Sequence, residues 1–162
     1  VSSRSDLSQG ALQPLVGEAE ALPEKSVARI VLCSGKVYYD LAQVRREREI
    51  GRVAIIRLEE LYPFPIEDYA RTLATYPNAA EIVWCQEEPQ NQGAWYQIRH
   101  RLHEALGQKR RLSYAGRPSA AAPASGIHAL HVMQPPALVA AALGVDTPEG
   151  AADSACRPAR AR

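Results

Sequence analysis

Short β-branched runs alternate with stretches of helical spacing through the middle of this chain. Val27-Ala28-Arg29-Ile30-Val31-Leu32-Cys33 is an apolar run closed by Ser34-Gly35, which predicts a strand and a tight turn. Tyr38 to Glu49 carries Leu41, Val44 and Arg45 on one helical side and charges on the other. Val53 to Leu58 predicts a second strand, and the prolines of Tyr62-Pro63-Phe64-Pro65 force extended backbone before each of them. Ile66 to Thr75 fits a helix, with Glu67 and Asp68 in the first turn, where the helix dipole favours acids. Glu81 to Cys85 predicts a third strand, Gln86 to Gly93 a polar loop, and Ala94 to Leu106 a helix with Trp95, Ile98, Leu102 and Leu106 on one face and Gly107 as a stop. Arg111 to Ala115 predicts a fourth strand. Pro118 to Gly126 is a loop of small residues, and a last helix is expected over Pro136 to Leu143, with Pro135-Pro136 in its first turn.

This βαβ spacing predicts an α/β domain with a mostly parallel sheet and helices on both faces. Its functional edge would lie at the carboxyl ends of the strands. Three loops qualify: Ser34-Gly35-Lys36, Glu59 to Pro65, and Gln86 to Gly93. Residues 1–26 are polar and read as a linker or arm, 27–144 as the domain, and 145–162, rich in Ala, Pro and Arg, as a disordered tail.

Composition narrows the class. With 162 residues, 46% of them hydrophobic, and a formal net charge of +1, one domain with a real core is expected, and nothing points to nucleic acid or a membrane surface. The apolar runs are too short for a membrane span. The chain opens Val1-Ser2-Ser3-Arg4, which suggests a piece of something longer. Cys33, Cys85 and Cys156 form no Cys-x-x-Cys, a pattern of a reducing, cytoplasmic compartment.

Candidate chemistry is sparse. Ser34-Gly35-Lys36 at a strand-to-helix turn would suit an anion, though it is no P-loop and reads more readily as an ordinary turn with a surface lysine. Glu87 and Glu88 are adjacent carboxylates, but neighbours on a strand point to opposite faces, which favours pairing over acid-base work. His100-x-x-His103 and His128-x-x-His131 place imidazoles one turn apart without the H-E-x-x-H pattern, so no metal site is expected. Arg99, Arg101, Lys109, Arg110, Arg111 and Arg117 form the notable basic stretch, near Trp95 and Tyr96. It reads first as a solvated face, and otherwise as phosphate contacts for a nucleotide, coenzyme A or RNA.

Four segments carry more than these short motifs: LCSGKVYYDL at 32–41, RLEELYPFP at 57–65, WCQEEPQNQGAW at 84–95 and YAGRPSAAAPASG at 114–126. Together, in order, over about residues 1–143, they resemble the C-terminal domain of the thiamine-diphosphate-dependent decarboxylating component of 2-oxoglutarate dehydrogenase, or of the fused multifunctional 2-oxoglutarate enzyme. The wording of QEEPQNQGAW argues against the equivalent domain of a pyruvate or branched-chain dehydrogenase. The resemblance implies a three-layer transketolase C-terminal-like fold in a bacterial, cytoplasmic, homodimeric enzyme of the tricarboxylic acid cycle. That enzyme decarboxylates 2-oxoglutarate on thiamine diphosphate and magnesium and passes the succinyl unit to the lipoyl group of the dihydrolipoyl succinyltransferase component. The family keeps its cofactor motifs in the preceding domains, and this sequence has no Gly-Asp-Gly. No catalytic or cofactor-binding residue is therefore expected here.

Two roles follow from the resemblance. In the first, the domain packs on the preceding pyrimidine-binding domain and supports the homodimer, with Tyr62, Phe64, Glu87, Glu88, Gln92, Trp95 and His131 as contacts. In the second, it takes a regulatory nucleotide or acetyl-coenzyme A through Lys36, Arg99, Arg101, Arg110, Arg111 and Arg117. His131-Val132-Met133-Gln134-Pro135-Pro136 departs from the family's Gln-rich helical start, and its prolines should delay or reshape the last helix.

Overall fold

The computed structural model describes residues 13–121 and, as backbone only over 128–135, residues 128–146. The elements run β1 (Leu15–Val16), β2 (Arg29–Cys33), α1 (Val37–Glu47), β3 (Val53–Leu58), α2 (Ile66–Thr75), β4 (Glu81–Pro89), α3 (Trp95–Glu104), β5 (Arg111–Arg117) and α4 (His128–Leu143), with one 3-10 turn at Glu24–Ser26. The strands form one sheet in the order β1-β3-β2-β4-β5. The four longer strands are parallel, and β1 pairs antiparallel with β3.

Crossover handedness and strand alternation together build the three layers. The β2-α1-β3 connection moves one way across the sheet, while β3-α2-β4 and β4-α3-β5 move the other. Right-handed crossovers must then place α1 on one face and α2 and α3 on the opposite face. Alternate residues sort accordingly. Ile30, Leu32, Ala54, Ile56, Ile82 and Trp84 pack with Tyr69 and Leu73 of α2 and Ile98 and Leu102 of α3. Val31, Cys33, Val53, Ile55, Val83 and Cys85 pack with Val37 and Leu41 of α1 and Leu138, Val139, Ala142 and Leu143 of α4. With both faces covered, the central strands have no polar side, so they read as continuous apolar runs.

Several boundaries differ from expectation. β4 continues through Gln86, Glu87 and Glu88 to Pro89, and β5 reaches Arg117, because the two strands stay paired across a register shift between Gln86 and Pro89. The last helix starts at His128, so Pro135 and Pro136 lie in its middle. Each proline lacks the backbone N–H that would donate within the helix. Burial of Leu138, Val139, Ala142 and Leu143 against the sheet opposes that cost. Part of the stretch read as an arm lies on the sheet as β1. Residues 1–12, 122–127 and 147–162, with Cys156 and most of the tail, lie outside the described residues, as does the side chain of His131.

Candidate functional site: the carboxyl edge of the sheet

Strand order reverses at β2, with β3 on one side and β4 on the other, so the loops after β2 and β4 flank a topological switch point. A cation bridges it. Lys36 Nζ lies 3.3 Å from Glu87 Oε1 and 3.8 Å from Asp40 Oδ2. The hydrogen bond that Lys36 donates to Glu87, then the charges of Glu87 and Asp40, raise the Lys36 ammonium above its ordinary value. An anion here would compete with Glu87 for this lysine. Glu88 is exposed, so the paired glutamates diverge instead of converging on one proton.

Gln86, which the sequence pattern marks only as the first residue of a polar loop, organises the segment that follows. Its side chain is buried. Its Oε1 accepts from Trp84 Nε1 at 2.8 Å and from the Trp95 amide at 3.0 Å. Its Nε2 donates to the carbonyls of Pro89 at 3.1 Å and Glu88 at 3.3 Å. One amide thus fixes β4, the loop and the first turn of α3. Gly93 is required by this arrangement, since a Cβ there would lie 2.2–2.7 Å from the Gln86 amide group. The segment 114–121 is tied to the same loop. Asn91 and Gln92 donate to the Ala120 carbonyl at 3.0 and 2.8 Å, and the Ala120 amide donates back to Asn91 Oδ1 at 3.0 Å. The Trp95 ring lies 5.2 Å from that of Tyr114, whose hydroxyl donates to the Arg117 carbonyl at 3.1 Å. Gln92 and Trp95 are therefore framework of this loop. A glutamine at the end of an apolar strand, two residues after a tryptophan and so on the same face, was the available signal.

The third loop is different. Tyr62 follows Leu61, forms a cis peptide with Pro63 and is 92% exposed. Phe64 turns inward, edge-on to Tyr69 with ring centroids 5.7 Å apart. Leu61, Tyr62, Pro63, Phe64 and Ile66 line one wall of an open groove of about 470 Å³, with Gln97, His100 and Arg101 opposite. Among the described residues the exposed large hydrophobics are Tyr39, Leu61, Tyr62 and Tyr96. All four sit in loops or first helical turns at the carboxyl edge.

The basic stretch does not form one site. Arg99 stacks over Tyr96 at 5.1 Å, and Arg101 pairs with Glu104 at 3.0 Å, both on α3. Arg110 is structural: it donates to the carbonyls of Leu73 at 2.8 Å and Ala79 at 3.2 Å. Arg111 lies 3.2 Å from Glu81, which also binds Arg29 at 2.6 Å. Arg110 and Arg111 stand at the amino end of β5, whereas Lys36 follows the carboxyl end of β2 and Arg117 is the last residue of β5. A strand length separates the two groups.

Cys33 and Cys85 are fully buried Cα partners across β2 and β4. Burial pushes the Cys33 thiol up to about 12 and Cys85 higher still. Neither is a nucleophile near neutral pH. Among the described residues no group of three or more His, Cys, Asp or Glu could hold a metal ion, and no helix is long and apolar enough to cross a membrane.

Comparison with known proteins gives this edge its context. Residues 1–143 match the family described as 2-oxoglutarate dehydrogenase C-terminal. The chain is 51% identical over 142 residues to a 2-oxoglutarate dehydrogenase E1 component of Cupriavidus necator, covering 88% of this chain and 15% of that protein. It is 50% identical over 143 residues to the E1 component of Haemophilus influenzae, with 88% and 15% covered. It is 48% identical over 147 residues to that of Coxiella burnetii, with 90% and 16% covered. The chain thus spans about 15% of the length of these curated relatives. With the match running through all four segments quoted above, the chain belongs to the 2-oxoglutarate dehydrogenase C-terminal family.

Proposed function

We propose that this chain is the C-terminal structural domain of a bacterial, cytoplasmic 2-oxoglutarate dehydrogenase E1 component, and that its carboxyl edge docks on the preceding pyrimidine-binding domain and supports the homodimer. The parent enzyme would carry out the thiamine-dependent decarboxylation and hand the succinyl unit to the dihydrolipoyl succinyltransferase component. The observation that carries the docking role is the gathering of Tyr39, Leu61, Tyr62 and Tyr96 on one edge. Aromatic side chains that stay exposed on a rigid framework are the usual anchors of a protein interface. The polar groups of the same edge are largely spent on each other, as Gln86 and the Lys36–Glu87 pair illustrate.

Thiamine diphosphate with magnesium does not fit the residues of this chain. No Gly-Asp-Gly occurs in it. Among the described residues no group of three or more His, Cys, Asp or Glu could hold the magnesium ion. No chemical step is assigned to this domain, and the isolated chain is expected to be inactive. The regulatory reading, with a nucleotide or acetyl-coenzyme A on Lys36 and the arginines, has weaker support because those cations are divided between two edges.

Calorimetry tests the proposal. The chain should give no binding heat with thiamine diphosphate and magnesium, yet should associate with the remaining domains of a parent E1 supplied in trans. Tight cofactor binding, or no association, would overturn it. A melting temperature that climbs with the logarithm of nucleotide or acetyl-coenzyme A concentration would favour the regulatory reading.

A further inference from the structure

We infer that Glu18 and Arg45 form a latch that seats the arm, residues 13–26, on the outer edge of β3. The ladder between the arm and the sheet is only two residues long, Leu15 with Leu58 and Val16 with Arg57. So short a ladder holds little by itself. Beyond Val16 the arm leaves the ladder, which would strand the edge groups of β3 further along. Side chains take them over. Glu18 Oε2 accepts from the Ile55 amide at 2.7 Å, and Arg45 Nη1 donates to the Val53 carbonyl at 3.2 Å. At the other end of the edge, the Pro14 carbonyl accepts from the amides of Glu59 at 2.9 Å and Glu60 at 3.0 Å. Arm and latch together cover an edge strand that would otherwise offer unpaired backbone groups to any passing strand.

The latch itself is a buried ion pair. The Glu18 and Arg45 side chains are each 3% exposed. Arg45 holds Glu18 through both terminal nitrogens, one of them reaching Oε1 at 2.9 Å, and it also meets Glu20 at 3.1 Å. Burial works to lower the Arg45 guanidinium, but hydrogen bonding and charge from Glu18, then Glu20, outweigh it and raise the group overall. Arg45 Nε is buried without a hydrogen-bond partner among the described residues, so the cation is incompletely satisfied. A pair of this kind is sharply asymmetric. Removing one member leaves a buried, uncompensated charge, whereas removing both charges is tolerated far better. Glu18 sits on the arm, so an uncompensated Glu18 has an escape that a core residue lacks: the arm lifts and the carboxylate hydrates. On the docking role proposed above, the seated arm also brings Pro14 beside the loop that carries Tyr62, but the test below reads the arm alone and stands apart from that role.

Amide hydrogen exchange on the full 162-residue chain decides it. In R45M the amides of Ile55, Glu59 and Glu60 should exchange about 100-fold faster or more, the size expected when a buried pair loses one member. The amides of Ile30 and Leu32 at the sheet centre should hold their rates. Adding E18Q to R45M removes the stranded charge and keeps an acceptor for Ile55, so protection should return to within about 10-fold of wild type. If R45M does not fold, E18A, which removes both the carboxylate and the acceptor for the Ile55 amide, should show the same selective release. The inference is overturned if the edge amides keep their protection, if Ile30 and Leu32 accelerate in step with them, or if the double variant recovers nothing.

Discussion

The two ends of the sheet solve opposite problems. At the amino edge, charge is closed in on the protein: Arg29 and Arg111 share Glu81, Arg29 also donates to the carbonyls of Ala141 and Ala142 at the end of α4, and Arg110 caps the carbonyls around the end of α2. No exposed large hydrophobic lies there among the described residues. At the carboxyl edge the framework is locked from beneath by one buried amide while aromatic surface is left outside. The amino edge is finished within the domain. The carboxyl edge combines a hydrogen-bonded framework with exposed aromatic surface, which is what the proposed docking role requires of it.

The largest effect should come from the framework of the carboxyl edge. Gln86→Leu would leave the Trp84 indole N–H and the Trp95 amide without their partner, while the Pro89 carbonyl would keep only the Gln92 and Gly93 amides. Stranded buried groups cost about 1–3 kcal/mol each, and loop relaxation recovers part of that. A loss of about 3 kcal/mol or more in urea unfolding is expected. A loss under about 1 kcal/mol would mean that the loop is not held as described.

Next comes Arg110→Met on the amino edge. It keeps most of the apolar stem but gives up the bonds to Leu73 and Ala79, at a cost of about 2 kcal/mol. The same variant should leave nucleotide or acetyl-coenzyme A response unaltered, since this guanidinium is occupied by backbone carbonyls.

Glu81→Gln should cost less, about 1 kcal/mol, because the network is partly solvated. It carries a pH signature. Burial alone would raise the Glu81 carboxyl, but Arg29 and Arg111 reverse this and hold it below its ordinary value of 4.5. A depressed carboxylate contributes its full stabilisation above the unfolded value and loses it as pH falls through the folded one. Wild type and variant should therefore differ most above pH 4.5 and draw together below it, as read by thermal melts across that range.

Most of the architecture was readable in the sequence because both sheet faces are buried, and long apolar runs separated by helical spacing leave few alternatives. The parts that escaped depend on contacts distant in sequence. Glu18 and Arg45 are 27 residues apart, and an arginine on the apolar side of α1 was the one hint that a buried acid must exist. Periodicity found strand β4 but placed its end at Cys85, because Gln86 and the glutamates after it look like a polar loop until Gln86 is seen to be buried. The basic stretch misled in the opposite sense. Closeness in sequence between Arg110, Arg111 and Arg117 conceals the length of β5, which puts Arg110 and Arg111 at its amino end and Arg117 at its carboxyl end.

The smallest effect on folding is the sharpest test of the contrast between the edges. Tyr62 is 92% exposed, so its ring gains little from the domain itself. Tyr62→Ser should shift stability by no more than about 0.5 kcal/mol, the usual range for a surface position. Gln86→Leu and Arg110→Met should both exceed it several-fold. The interface should show the reverse order. A central aromatic anchor is worth about 2 kcal/mol or more to association, roughly a 30-fold weakening of binding to the remaining domains of a parent enzyme. Arg110→Met, once folded, should bind as wild type does. If Tyr62→Ser instead destabilises the isolated domain as much as Arg110→Met and leaves association unchanged, the carboxyl edge is as self-contained as the amino edge, and the docking surface must be sought elsewhere.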